Sequence, residues 1–404
     1  MTAFTPPPRR LDPCPCGSGQ RYRDCHGSLA VAATAPPDPR VVEAIALRAN
    51  GEVDKALARV EAALIQIPGD APLENLRGLL RQDRLELPAA LASFDAAIAA
   101  APEFAAAHFN RALARLLVGD YAGGWADYAW RTRVPGYADY ANHGFGMPRW
   151  SGEDLHGKRL LVHAEQGLGD TIQFSRFIAP LAAAGARIDV FCHPPLVSLM
   201  ARVPGVGAAF QELATRPDHD FHAPIVDLAI HALPDRGAPH WFGAYVVAEG
   251  PPPPPLLDAL ASRARPRVGL AWKGSPRHAN DRNRSLPRDI AVALACAVGA
   301  GFNLQQGEGP LTESQCDAAS HCASWDDTAA VIASLELVVT VDTAVAHLAG
   351  AMGKPVWMLL PFSPDWRWGL EGEATPWYPT MRLFRQRARG DWDDVLLRVR
   401  AALG

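Results

Sequence analysis

From about residue 150 onward, short apolar runs alternate with longer amphipathic segments, whereas the preceding third of the chain is rich in Ala and Leu. Apolar runs of this length, bounded by turn residues, predict strands. They span Arg159 to Ala164, Arg187 to His193, Arg267 to Trp272, Phe302 to Gln305, Leu337 to Val341 and Pro355 to Leu360. Strands that alternate with helices indicate α/β organisation with parallel sheets.

A run of five prolines, Pro251 to Pro255, interrupts this region. Consecutive prolines stiffen the backbone, so we expect two halves of similar size, residues 150–250 and 256–404. Each half is predicted to be doubly wound and Rossmann-like, which places a ligand in the cleft between them, at the carboxyl ends of the strands.

The Ala- and Leu-rich segment, residues 40–136, repeats with a period of 34 residues. The matched positions are Ala56 with Ala90 and Gly124, Ala63 with Ala97, Pro68 with Pro102, and Gly51 with Gly119. Small residues at fixed positions let paired helices approach, and the pattern is similar to tetratricopeptide repeats; a plain helical bundle is the alternative. Leu85 stands where glycine is expected, and Arg131 stands at a small-residue position. Such an array suits an extended peptide or self-association into a homo-oligomer.

Two polar turns follow predicted strands. The first contains Gly167, Gly169 and Asp170, so backbone N–H groups and a carboxylate would face a ligand. The second places Asp342 and Thr343 before a small-residue helix, whose N-terminus would favour a phosphate.

The charge distribution and the lengths of the apolar runs limit which kinds of partner we expect for this protein. The 404 residues carry a net charge of -4 with both signs dispersed, which is not the footprint of a nucleic-acid or anionic-membrane protein. No apolar run approaches the ~20 residues that span a bilayer, and the chain start lacks a signal-peptide core, so we expect a cytoplasmic protein.

Three of the seven cysteines lie near the chain start, in Cys14-Pro-Cys16 and Cys25-His26. Three thiolates and one imidazole around a Gly-Ser-Gly turn are suited to a tetrahedral zinc ion. The spacing resembles the SEC-C motif, so residues 1–30 are expected to form a structural zinc knuckle and a docking surface. A tail with incidental cysteines is the alternative.

Five segments occur in the order found in bacterial glycosyltransferases of the GT-B fold, and the set resembles the heptosyltransferase-like group and, with the repeats, O-linked N-acetylglucosamine transferases. The segments are Trp150-Ser-Gly, Glu165 to Phe174, Gly269 to Pro276, Arg284 to Pro287 and Val341 to Trp357. The expected architecture is therefore α + α/β: a zinc knuckle, a tetratricopeptide array and a GT-B fold.

This resemblance implies roles for individual residues. Asp170 matches the proposed general base, and Lys273 matches the lysine that contacts the phosphate. Gly167, Gly169, Arg284, Asp342, Thr343 and His347 fall in the expected donor site. The donor would be a nucleotide-sugar, and the family's usual chemistry needs no catalytic metal.

Simpler readings stay open for several of these residues. Asp170 could cap a helix beginning at Thr171, Lys273 could be a solvated strand-end lysine, and His347 could be structural. Arg282 and Arg284 could clamp phosphate or acceptor, or lie on the surface. The tryptophans of Asp365 to Trp368 and of Trp377-Tyr378 could line the acceptor side or seal a domain interface.

The predicted function is inverting transfer of a sugar to a hydroxyl, on a protein or peptide that the repeats recruit. A glycan or lipid-linked acceptor is one alternative. The other is a non-catalytic scaffold that retains the transferase fold.

Overall fold

The computed structural model describes residues 38–135, 137, 143–212, 218–232, 240–276, 278, 280–299 and 301–404. The predicted zinc ligands Cys14, Cys16, Cys25 and His26 lie outside the described residues.

Six helices form three successive hairpins at the beginning of the described chain. They are α1 (Pro39–Ala49), α2 (Val53–Gln66), α3 (Ala71–Asp83), α4 (Leu87–Ala100), α5 (Ala105–Leu117) and α6 (Tyr121–Tyr128), the last continued by a 3-10 turn, Ala129–Arg133. The second helix of each hairpin begins at Val53, Leu87 and Tyr121, so the 34-residue spacing recurs in these helix starts. Assignment to the tetratricopeptide class stays a prediction.

The turn within each hairpin requires a left-handed residue. Gly51 and Gly119 have φ values of 81° and 85°, and Leu85 takes φ 60° at the equivalent place. A leucine in this conformation costs about 1–2 kcal/mol relative to an unstrained backbone. The turn geometry is therefore kept in the second hairpin even though its glycine is absent.

Small residues between the helices allow the close packing that the repeat pattern predicts. Ala56 and Ala90 are fully buried. A Cβ on Gly124 would lie 2.6 Å from the Leu116 side chain, and one on Gly78 would clash with the Phe94 ring.

Two separate parallel sheets follow, which confirms the predicted α/β organisation. Their strands are β1 (Arg159–His163), β2 (Arg187–Phe191), β3 (Val206–Phe210), β4 (Phe221–Pro224), β5 (Val268–Ala271), β6 (Phe302–Asn303), β7 (Leu337–Val341), β8 (Val356–Leu360) and β9 (Met381–Arg385). The first sheet has the order β3-β2-β1-β4, and the second has the order β6-β5-β7-β8-β9. Leu160 pairs with Ile188 on one side of β1 and with Phe221 on the other.

Helices connect and cover the strands. They are α7 (Leu168–Phe174), α8 (Ile178–Ala183), α9 (Val197–Ala201), α10 (Asp227–His231), α11 (Pro254–Ser262), α12 (Asp281–Arg284), α13 (Arg288–Val298), α14 (Trp325–Ala333), α15 (Ala344–Ala351) and α16 (Trp392–Leu403). The five-proline run ends inside the first turn of α11, where proline is well tolerated.

Two apolar clusters pack the faces of the second sheet, because successive strand residues point to opposite sides. Val338 belongs to the cluster that also contains Ile172 of the first half and Trp125 of α6. Val339 belongs to the other cluster, with Trp272 and Trp392. The third hairpin, the first sheet and one face of the second sheet thus share one core.

Candidate functional site

The first predicted turn lies at the end of β1, where Gly167 caps the N-terminus of α7. The helix begins at Leu168, three residues before the predicted start at Thr171. Asp170 is the third residue of this helix, and its Oδ2 accepts a hydrogen bond of 2.9 Å from the backbone N–H of Gly167. Asp170 is therefore not the residue before the helix, as the simpler reading expected; it lies inside the first turn, where its side chain satisfies the N–H of the N-cap residue and is 20% exposed.

The second predicted turn lies at the end of β7, where Thr343 precedes α15. Among the described residues, no side chain caps this N-terminus, because the Thr343 hydroxyl bonds instead to the hydroxyl of Thr340, at 3.2 Å. The first backbone N–H groups of α15 consequently remain available to an anion.

Asp342, at the start of the same turn, is largely buried. Its burial, together with the nearby Asp365 carboxylate, raises its pKa to about 6. Its Oδ1 lies 3.8 Å from Nε2 of His347. Burial lowers the pKa of His347 well below the ordinary value, so this imidazole is neutral at pH 7.

His347 is buried at the interface between the two halves, where α15 meets α7. We call this interface the seam. Its side chain is hydrogen-bonded to the Tyr378 hydroxyl at 3.0 Å through Nδ1, and its ring stacks near Trp368 with centroids 5.6 Å apart. A Cβ on Gly169 would lie only 2.8 Å from Cδ2 of His347. The absence of a side chain at Gly169 thus lets α7 and α15 meet.

Arg367, which follows β8, contacts the first turn and α7. Its guanidinium, 7% exposed, donates from Nη2 to Oδ1 of Asp170 and from Nε to Oε1 of Gln173 at 2.6 Å. Its Nη1 donates to Asp365 at 2.9 Å. In the sequence Arg367 is noticeable only as part of an aromatic stretch, and its 197-residue separation from Asp170 gives no signal in a local pattern.

Lys273 follows β5, and its ammonium is paired with Glu308. The backbone N–H groups of Trp272 and Lys273 both donate to Oε1 of Gln305, at 3.1 and 2.8 Å, which orders the end of the strand. Lys273 remains 40% exposed, so its side chain is accessible at the edge where the site lies.

The two loop arginines have different surroundings. Arg284 bonds to Asp281 at 3.2 Å, and its charge opposes the raised pKa of Asp342, so it lies within electrostatic reach of the second turn. Arg282 instead donates from Nη1 to the backbone carbonyl of Ala49, at 3.0 Å. Arg282 therefore contacts the first helical hairpin.

The tryptophans seal an interface, as one of the two readings expected. Trp366 packs edge-on against Trp125 of α6 and against Trp377, with centroids 5.4 and 5.8 Å apart. Trp368 and Trp377 are 2% and 0% exposed, which leaves little surface for a ligand.

A buried ion-pair network at the end of β1 was missed from the sequence. Arg131 donates to both oxygens of Glu165, at 2.7 and 2.8 Å, and to Asp227 at 2.7 Å. Asp227 also accepts from Arg149. Burial raises the pKa of Glu165 even though Arg131 opposes the shift. The unexpected arginine at a small-residue repeat position was the available signal.

The described residues contain no group of three or more His, Cys, Asp or Glu side chains arranged to hold a metal ion. None of their helices is both long enough and apolar enough to cross a bilayer.

Two family profiles match the chain. The SEC-C motif matches residues 12–28, and glycosyltransferase family 9 (heptosyltransferase) matches residues 323–383. The second match covers α14 to β9 and contains Asp342, Thr343, His347 and Arg367. The chain thus contains one segment that matches the SEC-C motif and one that matches glycosyltransferase family 9, in agreement with the two resemblances seen in the sequence.

Individual relatives cover more of the chain. Protein FlbA of Caulobacter vibrioides is 27% identical over an alignment of 430 residues, gaps included, that covers 89% of this chain and 71% of FlbA. The family 9 glycosyl transferase of Veillonella parvula gives a TM-score of 0.42 at 13% identity, over 58% of this chain and 88% of that one. E. coli ADP-heptose lps heptosyltransferase II gives 0.40 at 16% identity, over 61% and 98%.

Proposed function

We propose that the protein is an inverting glycosyltransferase that moves a sugar from a nucleotide-sugar to a hydroxyl of a protein or peptide. The observation that carries the proposal is the seam where Gly169 meets His347. There the two polar turns, each at the carboxyl end of a parallel strand, come together, and the second of them lies in the segment that matches family 9.

In this proposal the donor diphosphate binds at the N-terminus of α15. The uncapped N–H groups and the helix dipole favour an anion, and Thr343 lies at that terminus. Arg284 adds a positive charge within reach of the same turn. His347 supports the site by holding α15 against Gly169.

Lys273 would neutralise charge on the departing diphosphate, exchanging its present partner Glu308 for a phosphate oxygen. Asp170 would act as the general base. The acceptor oxygen would form a bond to the anomeric carbon as the bond to the diphosphate breaks, and the acceptor proton would pass to Asp170.

Contacts between the helical hairpins and the site support a protein or peptide acceptor over a free glycan. Arg131 of the third hairpin pairs with Glu165, which lies five residues before Asp170. Arg282, on the same short helix as Arg284, contacts the first hairpin. A polypeptide bound along the hairpins would therefore be held at a fixed distance from the cleft.

The test is calorimetric titration of the full chain with UDP, GDP, ADP, dTDP and CMP, repeated on Lys273→Ala. Arg400→Ala serves as the control, because that arginine contacts a carbonyl of α13 away from the two turns. We expect one nucleotide to bind, at least tenfold more weakly to Lys273→Ala and unchanged to Arg400→Ala. Binding of none of the five would favour the non-catalytic scaffold.

A further inference from the structure

Three partners fix the guanidinium of Arg367. Nε bonds to Gln173, Nη1 to Asp365 and Nη2 to Asp170, so each nitrogen has one acceptor. The rings of Trp366 and Phe174 lie 4.6 and 5.6 Å from the guanidinium carbon. A planar guanidinium group with all three nitrogens hydrogen-bonded has little freedom to rotate.

The contacts of Arg367 cross from one half of the molecule to the other. Arg367 lies between β8 and β9, in the second half, as does Asp365. Asp170 and Gln173 lie on α7, in the first half. The orientation of Asp170 therefore depends on a side chain of the opposite half.

The two carboxylate oxygens of Asp170 have hydrogen-bond donors in different halves of the molecule. Oδ2 accepts from the Gly167 backbone within its own turn, and Oδ1 accepts from Arg367 across the seam. Each carboxylate oxygen has about two acceptor positions, so a substrate hydroxyl can still approach. With both oxygens held, the carboxylate plane is fixed relative to the donor site.

We infer that Arg367 is a positioning residue: it orients the Asp170 carboxylate toward the acceptor hydroxyl, and only while the two halves are closed on each other. This role rests on the proposed function. It makes base catalysis depend on closure, since Asp170 keeps only its Gly167 contact when the halves separate. A carboxylate displaced by about 1 Å can cost on the order of 100-fold in rate.

A second arginine provides a matched control. Arg176 is 1% exposed and also ties the halves together, donating to the carbonyl of Trp377 at 2.7 Å and to the Tyr245 hydroxyl at 3.2 Å. Its Nε bonds to the carbonyl of Gln173. None of these contacts is to Asp170. Arg176 therefore links the two halves as Arg367 does, but it does not orient the Asp170 carboxylate.

The experiment compares the full-length protein with Arg367→Lys, Arg367→Gln and Arg176→Lys. Release of nucleotide from UDP-glucose, GDP-mannose, ADP-heptose, dTDP-glucose and CMP-sialic acid is measured, with water as the acceptor where no other is known. Nucleotide affinity and the unfolding midpoint are measured for every variant.

We expect kcat to fall about 100-fold in Arg367→Gln and less in Arg367→Lys, which keeps the charge. The donor KM and nucleotide affinity should stay within threefold of the unsubstituted chain. Arg176→Lys should lower the unfolding midpoint as much as Arg367→Lys does, with kcat within about threefold.

Two outcomes overturn the inference in distinguishable ways. If the unsubstituted protein turns over and Arg367→Gln keeps its kcat, or loses kcat and nucleotide affinity in parallel with Arg176→Lys, the positioning role is wrong and the proposed function stands. If the unsubstituted protein binds a nucleotide but turns over none of the five donors, the proposed function fails and the role of Arg367 fails with it.

Discussion

Gly169 and His347 lie in van der Waals contact across the seam between the two halves, with no room for a Cβ at residue 169. A methyl group there would be 2.8 Å from the imidazole and 3.4 Å from Cα of Ala344. His347 cannot easily move aside, because Tyr378 and Trp368 hold its other faces. The spacing between the first turns of α7 and α15 is therefore set by the glycine.

Gly169→Ala should separate these two helix N-termini. Overpacking of a well-packed contact costs about 1–3 kcal/mol, so we expect a loss of stability in that range. We also expect at least a tenfold loss of nucleotide affinity, since the two turns no longer meet. Urea unfolding and calorimetric titration measure the two effects.

Gly146→Ala is the matched control for this substitution. A Cβ on Gly146 would have nothing within 4 Å, and its φ is not in the left-handed region. This variant should change stability by no more than about 0.5 kcal/mol. Equal effects of the two substitutions would contradict the assigned role of Gly169.

Arg131→Met should destabilise the junction between the helical hairpins and the first sheet. It leaves Glu165 and Asp227 as buried carboxylates without their shared partner, which typically costs 3–5 kcal/mol. The free energy of unfolding, from urea or guanidinium titration, is the measurement.

Arg133 offers the comparison for Arg131, two residues along the same 3-10 turn. Its ion pair with Glu103 is exposed, at 61% and 83% of the two side chains. Arg133→Met should therefore cost less than about 1 kcal/mol. A cost for Arg131→Met as small as this would show that the buried network contributes little to the junction.

The SEC-C match at residues 12–28 predicts one bound zinc ion per chain. Elemental analysis of the purified protein should give that ratio, and Cys14→Ser should abolish it, since a tetrahedral site loses one of four ligands. Cys296→Ser, which changes an exposed cysteine in α13, should retain the metal. Nucleotide affinity should be equal in both variants, because the proposed site uses no residue of the motif.

Most strands were predictable because their patterns are strong. The strand β7 is five buried residues ending in a polar turn, and its predicted bounds are those observed. The strand β3 was missed because none of its residues is fully buried and because it contains Gly207 and two alanines. The strand β4 was missed because it is only four residues long and includes a histidine and a proline.

The site was predictable only as far as local pattern reaches. Both turns come directly after a strand that ends in polar residues, so the positions of Asp170 and Asp342 in these turns were predictable, while their roles stay predictions. The partners that orient them were not, because Arg367 and Asp170 are brought together by packing of the two halves. A residue that departs from a repeat pattern can nevertheless indicate a long-range contact. Arg131 is such a residue, because it lies in the third hairpin and donates to Glu165 after β1.

The pH dependence of stability should show the titration of Asp342. Its folded-state pKa is raised to about 6 by burial and by Asp365, above the ordinary value of 3.8. The folded state therefore binds the proton more tightly than the unfolded chain does. This contribution to stability is fully present below about pH 4 and is lost as the pH rises through about 6.

Asp342→Asn removes this titration while keeping the shape of the protonated side chain. The stability difference between Asp342→Asn and the unsubstituted protein should therefore shift in favour of the variant by roughly 2 kcal/mol between pH 4.5 and 7.5. Urea unfolding at several pH values measures it, with Asp154→Asn as the exposed control. A difference that is independent of pH would mean that Asp342 is ionised throughout this range, so its charge would oppose a diphosphate at α15 even at pH 5.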